Sequence, residues 1–176
     1  MYADLHVVTG APGSGKTAIL SGVRGDVRCV GEPAREVLAE QRSIDGDGTP
    51  ERNPSLFVDL LLQRSIDKHE EAQRWGGAVL FDRGVPDCVG YAKLLGTDPQ
   101  PSVRATAAYR YNREVLVTRP WAEIYTTDDE RKMTFGAIVE FQRLVESSYA
   151  QAGYTLIEVP RGSVEDRVAF VQNFIG

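Results

Sequence analysis

Residues 10–17 read Gly10-Ala11-Pro12-Gly13-Ser14-Gly15-Lys16-Thr17. This stretch matches the Walker A pattern G-x-x-x-x-G-K-[ST], and it follows an apolar run, Leu5–Thr9, that predicts a strand. Glycines let the backbone curl so that consecutive N–H groups point to one spot, and a helix beginning near Lys16 adds the positive end of its dipole. The sequence therefore predicts a loop that binds the phosphates of a nucleotide.

The positions of this loop have distinct expected roles. Lys16 is predicted to reach the β- and γ-phosphates of a nucleoside triphosphate, and the Thr17 hydroxyl to bind Mg²⁺. The expected nucleotide site extends to Ala18 in the first helical turn and to Arg161, in a loop 160–163 against which adenine would rest. ATP and Mg²⁺ are therefore the expected cofactors. The alternative, a glycine-rich turn without a ligand, is disfavoured by the complete motif between a predicted strand and a predicted helix.

The overall composition limits the classes of protein and the kinds of partner that the sequence supports. The 176 residues, 42% hydrophobic and 26% charged, are typical of a soluble globular domain, which we expect to span residues 1–176. A net charge of −5 gives no support for nucleic acid or an anionic membrane as a partner, and no apolar run approaches the ~20 residues that span a bilayer. Cys29 and Cys88 fit no metal-ligand spacing, and no signal peptide is recognised. We therefore expect a cytoplasmic protein with reduced thiols, as a monomer or homodimer.

Short apolar runs alternate with longer amphipathic stretches, a pattern typical of α/β domains with a parallel sheet. The predicted strands lie near 4–9, 27–31, 78–82, 114–118 and 155–159. The predicted helices lie near 16–23, 33–42, 54–74, 84–95, 102–110, 133–152 and 163–175. His69 is expected on an exposed helix surface, so it is not a default candidate for a catalytic base.

The segment 119–132 lacks apolar periodicity and is predicted to be a mobile lid. It carries Arg131, the first choice for a cation that closes over the transferring phosphoryl group, and Lys132, the second choice. The alternative is a set of ordinary solvated charges ahead of a helix. The helix that follows is predicted to stay docked through an apolar stripe formed by Phe135, Ile138, Val139 and Val145.

The run Gly77–Asp82 predicts a strand that ends in an aspartate, which is a Walker B pattern. Asp82 would orient Mg²⁺ directly or through water. Arg83 follows at once, and the carboxyl ends of parallel strands face the crevice where ligands bind, so Arg83 is predicted to clamp the transferring phosphoryl group. The alternative is a surface ion pair at the end of a strand.

Glu32 leaves the second predicted strand toward the same crevice. Its carboxylate is a candidate base, since it could accept a proton or a hydrogen bond from an acceptor hydroxyl. Arg35, three residues later, could hold an anionic group of the substrate, and Asp87 is expected to bind an acceptor hydroxyl. The alternative for Glu32 is a first-turn carboxylate that complements the helix dipole.

Together these motifs resemble the P-loop kinase-like proteins, and more narrowly the small bacterial proteins labelled AAA family ATPase, whose domain is related to the ribosylnicotinamide kinase domain. The resemblance implies an α/β P-loop NTPase fold, with a five-stranded parallel sheet in the order 2-3-1-4-5, helices on both faces and a lid segment. We do not expect a ring-forming AAA+ motor, because the chain ends one helix after the fifth predicted strand. The similarity covers nearly the whole chain and is carried by Gly10–Thr17, Glu32-Pro33-x-Arg35, Asp82-Arg83-Gly84-Val85-Pro86-Asp87 and Trp121-x-Glu123-Ile124-Tyr125-x-Thr127-x-x-Glu130-Arg131.

Glu32-Pro33 and Asp82-Arg83 are also similar to motifs of the deoxynucleoside kinases, in which the glutamate is the base and the arginine steadies phosphates. This chain differs from those kinases at Gly84, where they have a serine. It also lacks a tryptophan soon after Pro33.

These features predict a kinase that transfers a phosphoryl group from ATP·Mg²⁺ to an unidentified small-molecule acceptor. The predicted catalytic residues are Lys16, Glu32, Asp82, Arg83 and Arg131. Two alternatives stay open: a nucleotide hydrolase, which would place a water beside Glu32, and a non-catalytic sensor that changes partner affinity with its nucleotide. A defined acceptor pocket beside the γ-phosphate would favour the kinase, and a shallow site with an exposed apolar patch would favour the sensor. The sequence leaves open which acceptor is used and whether ATP or GTP is preferred.

Overall fold

Strands and helices alternate along the chain, within a few residues of the predicted ranges. The computed structural model describes residues 3–120 and 134–176. The strands in these ranges are β1 (Ala3–Gly10), β2 (Arg28–Val30), β3 (Gly77–Asp82), β4 (Glu114–Thr118) and β5 (Thr155–Glu158). The helices are α1 (Lys16–Gly22), α2 (Pro33–Ser43), α3 (Pro54–Gln73), α4 (Val85–Leu94), α5 (Gln100–Ala108), α6 (Phe135–Gln151) and α7 (Val164–Ile175).

The five strands form one parallel sheet in the order β2-β3-β1-β4-β5, which confirms the predicted order. Strand β1 is central, and its Val8 pairs with Asp82 of β3 on one side and with Leu116 of β4 on the other. Because all strands run in the same direction, their carboxyl ends meet at one edge of the sheet. That edge carries the loop 10–17 and the residues that follow β2 and β3, so the fold alone brings the predicted site residues together.

The two faces of the sheet are covered by different helices, because successive strand residues point to opposite sides. Val7 and Phe81 belong to a core cluster that includes Ile138 of α6, and residues of α3 and α4 contribute to the same face. Val8 and Leu80 point the other way, into a cluster with residues of α1 and α7. The predicted arrangement of helices on both faces is confirmed.

Helix α6 is docked, but by a face that differs in part from the predicted stripe. Ile138 and Val145 are fully buried, whereas Phe135 is 40% exposed and Val139 is 47% exposed. Each residue advances about 100° around an α-helix, so Val139 is rotated away from Ile138 and off the sheet. The buried face is completed instead by Phe141 and Gln142, three and four residues after Ile138.

His69 is buried, which corrects the expectation that it is exposed. It lies on α3, and its Nε2 is 2.8 Å from the carbonyl oxygen of Arg110. The rings of Tyr109 and Tyr111 pack against it edge-on, because the chain between α5 and β4 folds over this helix. Burial lowers the pKa of His69, so the imidazole is neutral at physiological pH.

Helix ends follow local rules that are visible in the sequence. The Asn53 side chain accepts a hydrogen bond from the Leu56 N–H, ahead of Pro54 at the first position of α3. Ser163 caps α7 in the same way, by accepting from the Asp166 N–H. Within residues 3–120 and 134–176, no helix combines the length and the apolar character needed to cross a membrane.

Candidate active site

The loop 10–17, called the P-loop below, takes the conformation that its glycines predict. Gly10 ends β1 with a φ of +140°, and a Cβ atom there would collide with the carbonyl oxygen of Thr118 on the neighbouring strand. Gly13 and Gly15 have φ values of +78° and +87°, in the left-handed region that favours glycine. Helix α1 begins at Lys16, so its N-terminus faces the concave side of the P-loop.

Side chains from three distant elements hold the P-loop. The Ser14 hydroxyl contacts Thr118 Oγ1 at 2.6 Å and donates to the Ala11 carbonyl at 2.8 Å. From α6, Gln142 Oε1 accepts a hydrogen bond of 2.6 Å from the Ala11 N–H. From α7, the Arg167 guanidinium donates to the Ser14 carbonyl at 2.8 Å. These hydrogen bonds from protein groups preorganise the loop.

Lys16 is folded back onto the P-loop. Its Nζ donates to the carbonyl oxygens of Gly10 and Ala11 at 3.0 and 3.1 Å, and the residue is only 5% exposed. Burial, together with the positive charge of Arg83, lowers the pKa of Lys16 to about 8. The ammonium group thus lies in a desolvated place, where a phosphate would compensate its charge far better than carbonyl oxygens do.

Arg83 lies beneath the P-loop and not at the surface. Its guanidinium pairs with Glu32 at 2.8 Å and with Asp87 at 3.2 Å, and donates to the Gly10 carbonyl at 2.7 Å. The side chain is 2% exposed and faces the rings of Tyr91 and Phe141. Among the described residues, no hydrogen-bond partner reaches its Nη2.

The backbone at Arg83 is also unusual. Its φ of +74° lies in the left-handed region, which costs a non-glycine residue about 1 kcal/mol or more. The Arg83 N–H is bonded to the Val8 carbonyl at 3.0 Å, and the ion pairs hold the side chain on the other side. This turn therefore aims Arg83 under the P-loop at the end of the Asp82 strand.

Glu32 accepts two arginine hydrogen bonds in the crevice. Arg83 Nε donates to its Oε1 at 2.8 Å, and Arg35 Nε donates to its Oε2 at 2.9 Å. Burial by itself would raise the pKa of Glu32, but the positive charges of Arg83, Lys16 and Arg35 outweigh burial and hold the pKa at about 2. Glu32 is thus an ionised acceptor and a weak base.

Asp82 has the features of a cation ligand. The residue is 4% exposed, and its Oδ1 accepts no hydrogen bond from any described residue. Burial raises the pKa of Asp82, although the charge of Lys16 acts in the opposite direction. A buried carboxylate oxygen without a donor fits Mg²⁺, as does the Thr17 hydroxyl at the start of α1. The described residues contain no cluster of three or more His, Cys, Asp or Glu that could hold a metal ion.

Asp87 is a structural acceptor, so the expected contact with an acceptor hydroxyl does not fit the geometry. Thr9 Oγ1 and Arg83 Nη1 donate to its Oδ1, and the Gly84 N–H and Tyr149 hydroxyl donate to its Oδ2. The residue is 2% exposed. With both oxygens occupied and no accessible surface, Asp87 holds Arg83 in place and does not face the crevice.

Gly84 is required by the two tyrosines that pack on it. A Cβ atom at this position would lie 2.9 Å from Tyr111 Cε2 and 3.0 Å from Tyr149 Oη. Tyr149 Oη also accepts the Gly84 N–H, and Tyr111 Oη accepts the Val85 N–H. The absence of serine at this position therefore follows from the packing of this chain.

One cavity of about 380 Å³ joins the P-loop to the crevice. Its lining includes Glu32 and Arg35, and also Gly162 and Val164, which are close to Arg161 in sequence. Most of the predicted nucleotide-site residues are thus brought together with two of the predicted acceptor residues, Glu32 and Arg35. Arg131 and Lys132 lie outside the described residues. The remaining residues that line the cavity are Pro12, Gly13, Gly15, Lys16, Thr17, Ala18 and Arg167.

Three residues that support the site were not predicted from the sequence: Gln142, Tyr149 and Arg167. Each is a polar residue on the buried face of a helix: Gln142 lies between Ile138 and Val145 on α6, and Tyr149 follows Gln142 by two turns. Arg167 is 3% exposed and precedes Val168 on α7. The sequence signal that could have identified them is a polar side chain within the apolar stripe of a helix. Such a side chain is expected to have a hydrogen-bond partner, because buried polar groups need partners.

A glycine-rich loop at the end of a central parallel strand, beside a strand that ends in aspartate, defines a P-loop nucleotide-binding protein of the kinase and NTPase class. The chain belongs to the family described as an AAA domain (AAA_28), whose model matches residues 5–167. This membership and the fold confirm the resemblance to P-loop kinase-like proteins.

Among solved structures, the crystal structure of NadR protein in complex with NR is similar, with a TM-score of 0.71 and 18% sequence identity. The match covers 98% of this chain and 51% of the NadR chain, so this chain spans about half of that structure. At this identity the likeness shows the fold. No curated protein matches the sequence.

Proposed function

We propose that this protein is an ATP- and Mg²⁺-dependent kinase that phosphorylates a small-molecule acceptor. One observation carries the proposal: residues of the P-loop line a single cavity together with Glu32 and Arg35. A simple nucleotide binder needs only the P-loop side of such a cavity. Groups able to hold a second, hydroxyl-bearing molecule in line with the γ-phosphate favour phosphoryl transfer.

At the nucleotide end, the P-loop N–H groups and the α1 N-terminus would bind the phosphates. Lys16 would leave the Gly10 and Ala11 carbonyls to pair with the β- and γ-phosphates, as its desolvated position favours. The adenine would lie toward Ala18 and Gly162, which both line the cavity. Gly162 belongs to the loop 160–163, which also contains Arg161. Thr17 and Asp82 would hold Mg²⁺, which when bound neutralises charge on the phosphate oxygens.

At the acceptor end, Glu32 would accept a hydrogen bond from the acceptor hydroxyl, and Arg35 would pair with an anionic group of the acceptor. A pKa of about 2 keeps Glu32 ionised at neutral pH. A weak base is sufficient for phosphoryl transfer, because the transition state is loose and the hydroxyl proton leaves late. Arg83 would keep Glu32 in this orientation from beneath the P-loop, through the hydrogen bond of its Nε to Glu32.

Substitution Glu32→Gln tests this role. If Glu32 orients the acceptor and takes its proton, kcat should fall by roughly 10²–10⁴-fold while ATP affinity is nearly unchanged. Steady-state kinetics with the acceptor and calorimetry with ATP measure the two effects. Glu36→Gln is the matched control, since Glu36 pairs with Arg64 and Lys68 on the outer face of α2. Near-normal turnover of Glu32→Gln would contradict this role and would favour the alternative, in which Glu32 only complements the dipole of the helix that follows it.

The role of Arg131 stays a prediction from sequence. If Arg131 acts mainly on the transition state, Arg131→Ala should lower kcat by more than it weakens ATP binding. Kinetics and calorimetry on the same variant separate these effects. Equal losses in kcat and in affinity would instead indicate ground-state binding, and no loss would transfer the role to Lys132 or Arg83.

A screen of a metabolite pool for ATP-dependent phosphorylation tests the function itself, with Lys16→Met as the inactive control. NR, the ligand in the NadR structure, is a rational first compound. Small hydroxyl-bearing molecules with an anionic group that could pair with Arg35 form a second set. A phosphorylated product supports the kinase. ATP turnover without any acceptor would support the hydrolase, and tight ATP binding without turnover would support the sensor.

A further inference from the structure

Gln142 has a contact that the proposed catalytic roles do not use. It lies on α6, is 6% exposed, and its Oε1 accepts the Ala11 N–H at 2.6 Å. Ala11 is the second residue of the P-loop, and its N–H would otherwise be a buried donor with no described partner. The contact joins residues 131 positions apart, so it is a feature of the tertiary fold.

The Gln142 amide is itself held in a fixed orientation. Its Nε2 donates to Glu146 Oε1 at 2.7 Å, one turn further along α6. Glu146 accepts from Arg119 Nε at 3.0 Å, and Arg119 Nη1 donates to Glu158 at 2.6 Å. Since Glu146 accepts only, Gln142 must present its N–H₂ to Glu146 and its oxygen to Ala11. The amide orientation is therefore determined by this network.

Helix α6 makes a second contact of the same kind two turns later. The Tyr149 hydroxyl accepts the Gly84 N–H and donates to Asp87, which holds Arg83. One buried face of α6 thus supports both the P-loop and the turn after β3. The two loops on either side of the expected γ-phosphate position depend on the same helix.

We propose that Gln142 is a positioning residue for nucleotide binding, which acts through the Ala11 N–H and is oriented by Glu146. The hydrogen bond fixes the beginning of the P-loop, so that the N–H groups of the following residues converge on the phosphates before the nucleotide arrives. Without it, part of the binding free energy is spent on ordering the loop. The inference rests on the proposed binding of ATP by this loop.

Calorimetric titration of MgATP into three proteins tests the proposal: wild type, Gln142→Met and Glu146→Ala. Methionine keeps most of the side-chain volume but cannot accept the Ala11 N–H. We expect about tenfold weaker binding for Gln142→Met, which corresponds to the loss of one well-placed hydrogen bond, and a smaller loss for Glu146→Ala. The Ala11 amide proton should move upfield in the NMR spectra of both variants, a change that a general loss of packing would not confine to this signal.

Two substitutions on the same helix are controls. Gln151→Met removes an exposed glutamine that contacts Ser147 and Lys93, and Glu140→Ala removes an exposed partner of Arg143. Both should bind MgATP as the wild type does. Wild-type affinity in folded Gln142→Met or Glu146→Ala would overturn the proposal. Failure of the wild type to bind MgATP would contradict the proposed function instead, and the Ala11 amide signals of the variants would still decide whether Gln142 positions the loop.

Discussion

Lys16→Met is expected to abolish MgATP binding and, at the same time, to stabilise the ligand-free protein. The loss of binding follows from removal of the cation that pairs with the β- and γ-phosphates, and affinity should fall by at least about 100-fold. The gain in stability follows from the buried position of the ammonium group, because burial lowers the pKa of Lys16 from 10.5 to about 8. A charged group with a lowered pKa destabilises the fold, here by about 1–3 kcal/mol at pH 7.

The pH dependence gives this prediction a specific signature. Between about pH 8 and 10.5 the unfolded wild-type chain binds more protons than the folded one, so wild-type stability should rise with pH across this window. The rise should be absent in Lys16→Met. Urea unfolding at several pH values and calorimetry with MgATP measure both effects, with Lys93→Met at a partly exposed position of α4 as control. A destabilised Lys16→Met protein, or one that binds MgATP normally, would contradict the prediction.

Arg83→Met is expected to destabilise the protein by about 3–5 kcal/mol. The substitution leaves two buried carboxylates, Glu32 and Asp87, without the cation that pairs with both. It also removes the donor to the Gly10 carbonyl while the left-handed backbone at position 83 remains strained. Arg35→Met is the matched control, since Arg35 pairs with the same Glu32 but is 55% exposed, and its replacement should cost about 1 kcal/mol or less.

The difference in the free energy of unfolding between wild type and Arg83→Met should become smaller at acidic pH. In the wild type, the lowered pKa of Glu32 contributes stability that is present above pH 4.5 and is lost as the pH falls toward about 2. In the variant, Glu32 lacks the Arg83 cation that lowers its pKa, so the pKa of Glu32 rises and its protonation relieves the unpaired charge. Chemical unfolding from pH 7 to pH 4 measures this. If the difference in the free energy of unfolding stayed constant between pH 7 and pH 4, the lost ion pairs would not be the cause of the lower stability of Arg83→Met.

Local sequence patterns were sufficient to predict the parallel α/β fold and the P-loop side of the candidate site. The P-loop, the strand before Asp82 and the strand before Glu32 are contiguous motifs, and parallel strands place their carboxyl ends at one edge whatever the details of packing. For this reason the proximity of Lys16, Glu32 and Asp82 could be predicted without knowledge of any tertiary contact, whereas the strand order was implied by the resemblance to P-loop kinase-like proteins.

Orientation and long-range support could not be predicted in the same way. Asp87 was placed near the site by its spacing, but the spacing did not show that Thr9 and Tyr149 occupy its oxygens. Gln142 and Arg167 reach the P-loop across 131 and 153 residues, and neither belongs to a motif. Such contacts depend on how α6 and α7 pack on the sheet. A pattern of apolar residues predicts which face of a helix is buried, but not which residues that face contacts.

The close packing around Gly84 constrains how this chain can diverge. A serine at this position would bring its Cβ to within 3.0 Å of the Tyr149 hydroxyl and 2.9 Å of the Tyr111 ring, and would disturb the acceptor of the Gly84 N–H. Substitution at position 84 alone should therefore be selected against, although serine there with a smaller residue at 111 or 149 should be tolerated. The three positions form an epistatic unit, and relatives that carry serine in this turn are expected to have changed at least one of the two tyrosines as well.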